Sequence, residues 1–197
     1  MEVDLKDKTA DIRYLKDMTD VIYDKEWLKT ANLDLDLYYM YRGIEEKDEI
    51  RYDITVVPKN LLGTEFTKTK GHYHVGNYGE VYTVLEGQAI YLMQKANDNG
   101  VEDVYAVKAE KGDVVVIPPN YGHVTINPSQ DQDLKMANWL SINCKSDYLP
   151  YTEKQGACYL YTTNGWIKNE NYKMVPELRF EEPLKSVPED LNFLKQS

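Results

Sequence analysis

A chain of 197 residues is long enough to bury one sizeable core, and no shift in its composition argues for a second domain. Its formal charge of −10 and pI near 4.8 exclude a surface built to grip nucleic acid or an anionic membrane, because phosphate polymers repel that sign. No apolar run approaches the roughly 20 residues that cross a bilayer. The opening MEVDLKDKTADIRYLKD is too charged for the core of a signal peptide, so a cytoplasmic protein is expected. In that compartment Cys144 and Cys158, which lack a metal-type C-x-x-C spacing, read as two reduced structural thiols. Seventeen tyrosines against three phenylalanines suit pleated, half-buried strands, and also a cavity that binds polar ligands.

In chain order, TDVIYDKEWLKTAN (19–32) predicts a short N-terminal helix with Thr19 or Asp20 as its cap and Ile22, Trp27 and Leu28 on an apolar stripe. From about Leu37 the chain breaks into short segments rich in Val, Ile, Thr and Tyr. They are LYYMYR, IRYDITVVP, EVYTVLEG, QAIYLMQ, VEDVYAVKAE, DVVVIPP, HVTIN, KMANWLSIN and ACYLYTT, and all read as strands. Turns fall at Asp98-Asn99-Gly100 and at Asn164-Gly165. Strands at this spacing predict an antiparallel sandwich or barrel. The core barrel is expected over about 37–168 of a single domain, 1–197. The acidic tail from Glu181, with Pro183 and Pro188, reads as an extended arm (181–197) holding at most one terminal turn.

All three histidines fall into one pattern. His72 and His74, spaced H-x-H, share one face of a strand. Glu80 follows after VGNYG, whose glycines suit a bend that brings the carboxylate back towards the pair. His123 lies where the buried run GDVVVIPP turns at Pro118-Pro119 and leaves as HVTIN. Three imidazoles and one carboxylate suit one divalent transition ion such as Fe, Mn, Co, Ni or Zn, with positions open for substrate oxygens.

The stretch Gly71-His72-x-His74-x5-Glu80-x6-Gly87 resembles cupin motif one. Gly112-x5-Pro118-x4-His123-x3-Asn127 resembles motif two, with Asn120 where the usual pattern has glycine. The resemblance implies an all-β cupin double-stranded β-helix, or jelly-roll, barrel with His72, His74, Glu80 and His123 as metal ligands. Thr69 to His74 with Glu80-Val81-Tyr82, together with Thr55, LYYMY around Tyr38, Asp147-Tyr148 and Glu153-Lys154-x-Gly156, is similar to the cupin-type phosphoglucose isomerases over about 15–156. That family has a similarly long spacer before the glutamate. The resemblance implies a homodimer that interconverts glucose 6-phosphate and fructose 6-phosphate, a step of glycolysis and gluconeogenesis, with ferrous iron as the first choice of ion.

Chemistry agrees with that reaction. Tyr38, Thr55, Thr69, Lys70, the Gly71 amide and Tyr148 could surround a dianionic phosphate. Lys68 is either a second cation there or a solvated strand-edge lysine. An ion contacting O1 and O2 would stabilise the charge that develops on isomerisation. The remaining hydrogen transfer runs either through an enediol, with Glu80 as the base, or as a hydride shift that needs none. Tyr82 shares the Glu80 face, where it would position the sugar, shuttle a proton or simply fill the barrel. Ser146 and Leu140 stand where the family can carry histidine and tyrosine. The rival readings are another metal cupin such as a dioxygenase, and a sugar-binding cupin without turnover.

Overall fold

A computed structural model describes residues 3–97 and 100–195. Its strands are β1 (Asp11–Tyr14), β2 (Asp36–Lys47), β3 (Ile50–Val57), β4 (Leu61–Leu62), β5 (Glu65–Phe66), β6 (Tyr73–Val75), β7 (Glu80–Glu86) and β8 (Gln88–Asn97). They continue as β9 (Gly100–Glu110), β10 (Val114–Ile117), β11 (Gly122–Ile126), β12 (Leu134–Ser141), β13 (Lys145–Asp147), β14 (Tyr159–Thr162), β15 (Gly165–Lys168) and β16 (Arg179–Glu181). Every strand expected between 37 and 163 forms. The Asn164-Gly165 turn joins β14 to β15 antiparallel, whereas Asp98 and Asn99 of the other expected turn lie outside the described residues.

A six-stranded sheet in the order β1-β2-β3-β12-β7-β10 and a four-stranded sheet in the order β11-β8-β9-β16 form the two walls. Leu37, Val57, Val84 and Met136 from the first share one apolar core with Ile90, Leu92, Val124 and Ile126 from the second. The order interleaves strands far apart in sequence, with β12 between β3 and β7, and so gives the all-β cupin double-stranded β-helix. A smaller pair, β13-β6, and a sheet in the order β15-β14-β5-β4 complete the strands.

Two strands from outside the expected 37–168 span join the walls. β1 extends the six-stranded sheet, and β16 pairs parallel with β9. The arm that follows is laid along the barrel rather than free. Leu184 bridges Val114, Lys185 Nζ donates to Asp113 at 2.6 Å, and Leu194 is buried in a single closing turn, Asn192–Lys195.

The N-terminal helix differs from expectation. It splits into a 3-10 turn at Thr19–Val21 and a four-residue helix α1 (Lys25–Leu28) capped by Asp24, whose Oδ1 accepts from Trp27 N at 2.9 Å. Burial explains the break. Val21 and Ile22 are both fully covered, Ile22 takes an extended backbone (φ −81°, ψ 130°), and Tyr23 N is drawn to Glu65 Oε2 at 3.0 Å. The extended Ile22 ends the first turn and the Tyr23 bond to Glu65 holds the chain out of a continuous helix, so tertiary packing overrides the local pattern.

Candidate metal centre and its cavity

The backbone brings the histidines together. His72 pairs with His123 through two hydrogen bonds, His72 N to His123 O at 3.2 Å and His123 N to His72 O at 3.0 Å, which leaves their ring centroids 4.5 Å apart. His74 lies one alternation further along the same strand, with ring centroids 5.3 Å from His72 and 5.4 Å from His123. Gly71 opens the stretch at φ +82°; a Cβ there would sit 2.5 Å from Val124 Cγ2 and 2.6 Å from the Tyr151 ring, so glycine alone fits. In motif two Asn120 adopts φ +67° and takes the part of the usual glycine, as asparagine tolerates this region better than most residues.

One ligand atom from each of His72, His74, Glu80 and His123 lies within 4.8 Å of all the others. Glu80 Oε2 is 3.3 Å from His74 Nε2 and 3.2 Å from His123 Nε2. Neither contact has hydrogen-bond geometry, and Oε2 and His74 Nε2 stay buried with no such partner. Converging, unsatisfied acceptors of this kind are costly unless a cation is shared among them. The VGNYG loop, beyond bending the chain, orients a ligand: the Tyr78 carbonyl accepts from His74 Nδ1 at 3.0 Å, which fixes that tautomer and leaves the Nε2 lone pair facing the cluster.

Burial, reinforced by the neighbouring His123, holds His72 well below the ordinary imidazole range; burial also lowers His123, against the pull of Glu80. His74 runs the other way, because Cys144 and Glu80 together outweigh its burial. Glu80 is held well below the usual carboxylate range by His123 and His74, again against burial. The cluster thus combines an ionised carboxylate with two imidazoles, His72 and His123, that burial keeps neutral, while His74 would give up its proton as an ion takes that place. By donor type the four fit such an ion.

His72, Glu80 and His123 open onto one cavity, and every expected substrate contact lines it: Tyr38, Thr55, Thr69, Lys70, Gly71 and Tyr148, with Tyr82 beside Glu80. His74 completes the cluster without lining the cavity. Tyr82 Oη lies 3.4 Å from His123 Nε2, and burial followed by the Glu80 charge pushes its pKa well up, so the hydroxyl keeps its proton. Thr69 Oγ1 accepts from Thr125 N at 3.0 Å, and Tyr38 Oη accepts from Lys70 N at 3.4 Å. The Lys70 ammonium donates to Asp17 O at 2.7 Å. Lys68 is neither a cavity cation nor a solvated edge residue. It is buried, donates to Val21 O at 2.9 Å, and forms a close ion pair with Glu65.

Several lining residues escaped the sequence reading: Arg42, Arg51, Asp53 and Asn138, which come from β2, β3 and β12. Asp53 accepts from Arg51 Nε at 3.0 Å and from Gly43 N at 2.7 Å. Just behind Tyr38 and Tyr148 stands Arg13, its guanidinium 6.0 and 5.6 Å from their rings. No local motif marks these positions, and only strand register brings them together.

By architecture and by the four groups gathered inside its barrel, the molecule is a cupin with a centre suited to a metal ion. Sequence comparison is more specific: residues 12–177 match the family described as glucose-6-phosphate isomerase (GPI). The chain belongs to the glucose-6-phosphate isomerase family, in its cupin form. It is 30% identical to the glucose-6-phosphate isomerase of Thermococcus onnurineus over 161 residues, covering 80% of this chain and 82% of that one. It is 28% identical to that of Thermococcus litoralis over 161 residues, 79% and 82% of the two chains. The Pyrococcus horikoshii protein is 26% identical over 162 residues, 80% and 83%. Among solved structures, an oxalate oxidase in complex with the substrate analogue glycolate overlaps 53% of this chain and 48% of its own, at 18% identity and a TM-score of 0.43. Peruvianin-I, described as a cysteine peptidase from Thevetia peruviana latex, overlaps 66% and 77% at 18% identity and a TM-score of 0.45. Among the described residues no helix is long and apolar enough to cross a membrane.

Proposed function

We propose that this chain interconverts glucose 6-phosphate and fructose 6-phosphate at one divalent ion per subunit, held by His72, His74, Glu80 and His123, with ferrous iron first and Mn, Ni, Co or Zn as alternatives. The observation that carries the reading is a buried quartet of ligand atoms within 4.8 Å, opening onto a cavity edged with hydroxyl donors, in a member of this isomerase family. A bound ion would supply Lewis-acid stabilisation of charge on the C1 and C2 oxygens. The residues do the rest. Thr55, Thr69, the Gly71 amide and the hydroxyls of Tyr38 and Tyr148 receive the phosphate. Lys70 contributes positive charge at that end while its ammonium stays on the Asp17 carbonyl. Tyr82 presents a protonated hydroxyl to the sugar. Glu80 carries the C2 proton in the enediol route and is a ligand alone in the hydride-shift route.

The reading includes one domain over 1–197, a cytoplasmic protein and a homodimer. β1 is the dimer surface offered, because it is both N-terminal and the last strand of its sheet.

The test is a coupled assay of fructose 6-phosphate conversion on chelator-stripped protein, before and after addition of Fe(II) or Mn(II). Activity should vanish on stripping and return with the ion, and His74→Ala or His123→Ala should lose both metal and turnover while keeping the wild-type circular dichroism. Full activity in metal-free protein would sink the site assignment. No activity in folded, metal-loaded protein would move the reading to another phosphorylated sugar or to binding without turnover. In the same assay, exchange of the C2 hydrogen with solvent, together with an inactive but metal-loaded Glu80→Gln, selects the enediol route.

A further inference from the structure

We infer that Asn138 is a positioning residue that sets which oxygen of Glu80 faces the metal centre. The inference rests on the metal-site reading above and adds a residue that neither motif contains. Asn138 Nδ2 donates to Glu80 Oε1 at 2.6 Å, with both side chains buried at 6% and 2% exposure. A carboxylate only accepts, so the amide must turn its NH2 towards Glu80, and its orientation is determined by the partner. The bond ties up Oε1. The second oxygen, Oε2, is left 3.3 and 3.2 Å from His74 Nε2 and His123 Nε2 with no hydrogen bond of its own. One oxygen is held and the other is offered.

The surroundings make this arrangement specific. Met136, Asn138 and Leu140 follow one another on the cavity face of β12, and Asn138 is the polar member of that row. A buried amide costs free energy unless it is hydrogen-bonded, and the bond found goes to the proposed ligand. The donor is also rigidly mounted. Asn138 is in register with Asp53 of β3 on one side and Tyr82 of β7 on the other, so the backbone is held by both neighbours. Glu80, at the first position of β7, has less strand behind it and gains its orientation from this bond. Partners of this kind around metal ligands typically change affinity or activity by about 10- to 100-fold when removed.

The test compares wild type, Asn138→Ala, Glu80→Gln and the double variant as intact protein. Stripped samples are titrated with Mn(II) by calorimetry, metal-free thermal midpoints are recorded, and kcat and KM for fructose 6-phosphate are measured at saturating Mn(II). Asn138→Ser, which stays polar but is too short to reach Glu80, serves if the alanine variant does not fold. Asn138→Ala should bind Mn(II) roughly tenfold or more weakly and lose kcat with KM nearly unchanged. The loss of affinity should disappear in the Glu80→Gln background, where no carboxylate remains to be oriented. Affinity and kcat within about twofold of wild type would overturn the inference. So would an equal loss in both backgrounds, the additive result expected from a loosened barrel. Wild-type protein that binds no Mn(II) would overturn the metal-site reading itself, and the inference with it.

Discussion

Lys68 and Lys70 are two residues apart and read alike in sequence, but their surroundings differ completely. Lys68 lies under the N-terminal segment, bound to Val21 O and Glu65, while the other oxygen of Glu65 accepts from Tyr23 N. Both charges are buried, so removing one strands the other. Lys68→Met should therefore destabilise the protein by about 3–5 kcal/mol, with Lys68→Met/Glu65→Leu recovering much of the loss. Urea midpoints of the three proteins check this, and a single variant as stable as wild type would refute a structural role for the pair. The cluster histidines were legible because a chain so poor in histidine sets two of them at H-x-H spacing ahead of a carboxylate, which a shared ion requires and strand packing does not. Asn138, Arg42, Arg51 and Arg13 were not. Their role depends on which strand lies beside which, and an isolated polar residue in a strand carries no local sign of its neighbour.

The strands expected from alternation, and the hairpin expected at Asn164-Gly165, formed where the pattern placed them between Leu37 and Lys168. Failures came where tertiary contacts override a local rule. The predicted helix at 19–32 broke because Val21, Ile22 and Tyr23 are each claimed by a different neighbour. Two- to four-residue strands such as β1, β4, β5 and β16 are too short for a period to show. The closing arm was legible as extended, but its docking was not. Its anchor makes a pH prediction. The Asp113 carboxyl is held below its usual range by the Lys185 ammonium and further by Glu110 N, against its own burial. The unfolded chain therefore takes up this proton at a higher pH than the folded one. The contribution is complete above the ordinary aspartate value of about 4 and is lost as pH falls through the lower folded value. Between about pH 5 and 3, wild type should lose thermal stability more steeply than Asp113→Asn. Parallel curves would show that the bond between arm and barrel does not matter.

At the scale of the molecule, the two cupin motifs announced the barrel because each contributes cluster residues to a different wall or its edge. Glu80 opens β7 of the six-stranded sheet, and His123 sits on β11 of the four-stranded one. Assembly beyond one chain was carried by resemblance alone. The proposed dimer predicts a solution mass about twice the 22.9 kDa of the chain by light scattering; a mass of one chain at working concentration would rule it out. The place of β12 has a consequence in time. It fills the gap between β3 and β7, tens of residues behind both, so the wall carrying Glu80 cannot close until Ser141 has been synthesised. Contacts this distant along the chain form late and slowly. During synthesis the nascent chain would thus display His72, His74 and Glu80 well before β12 arrives to close the wall beside them.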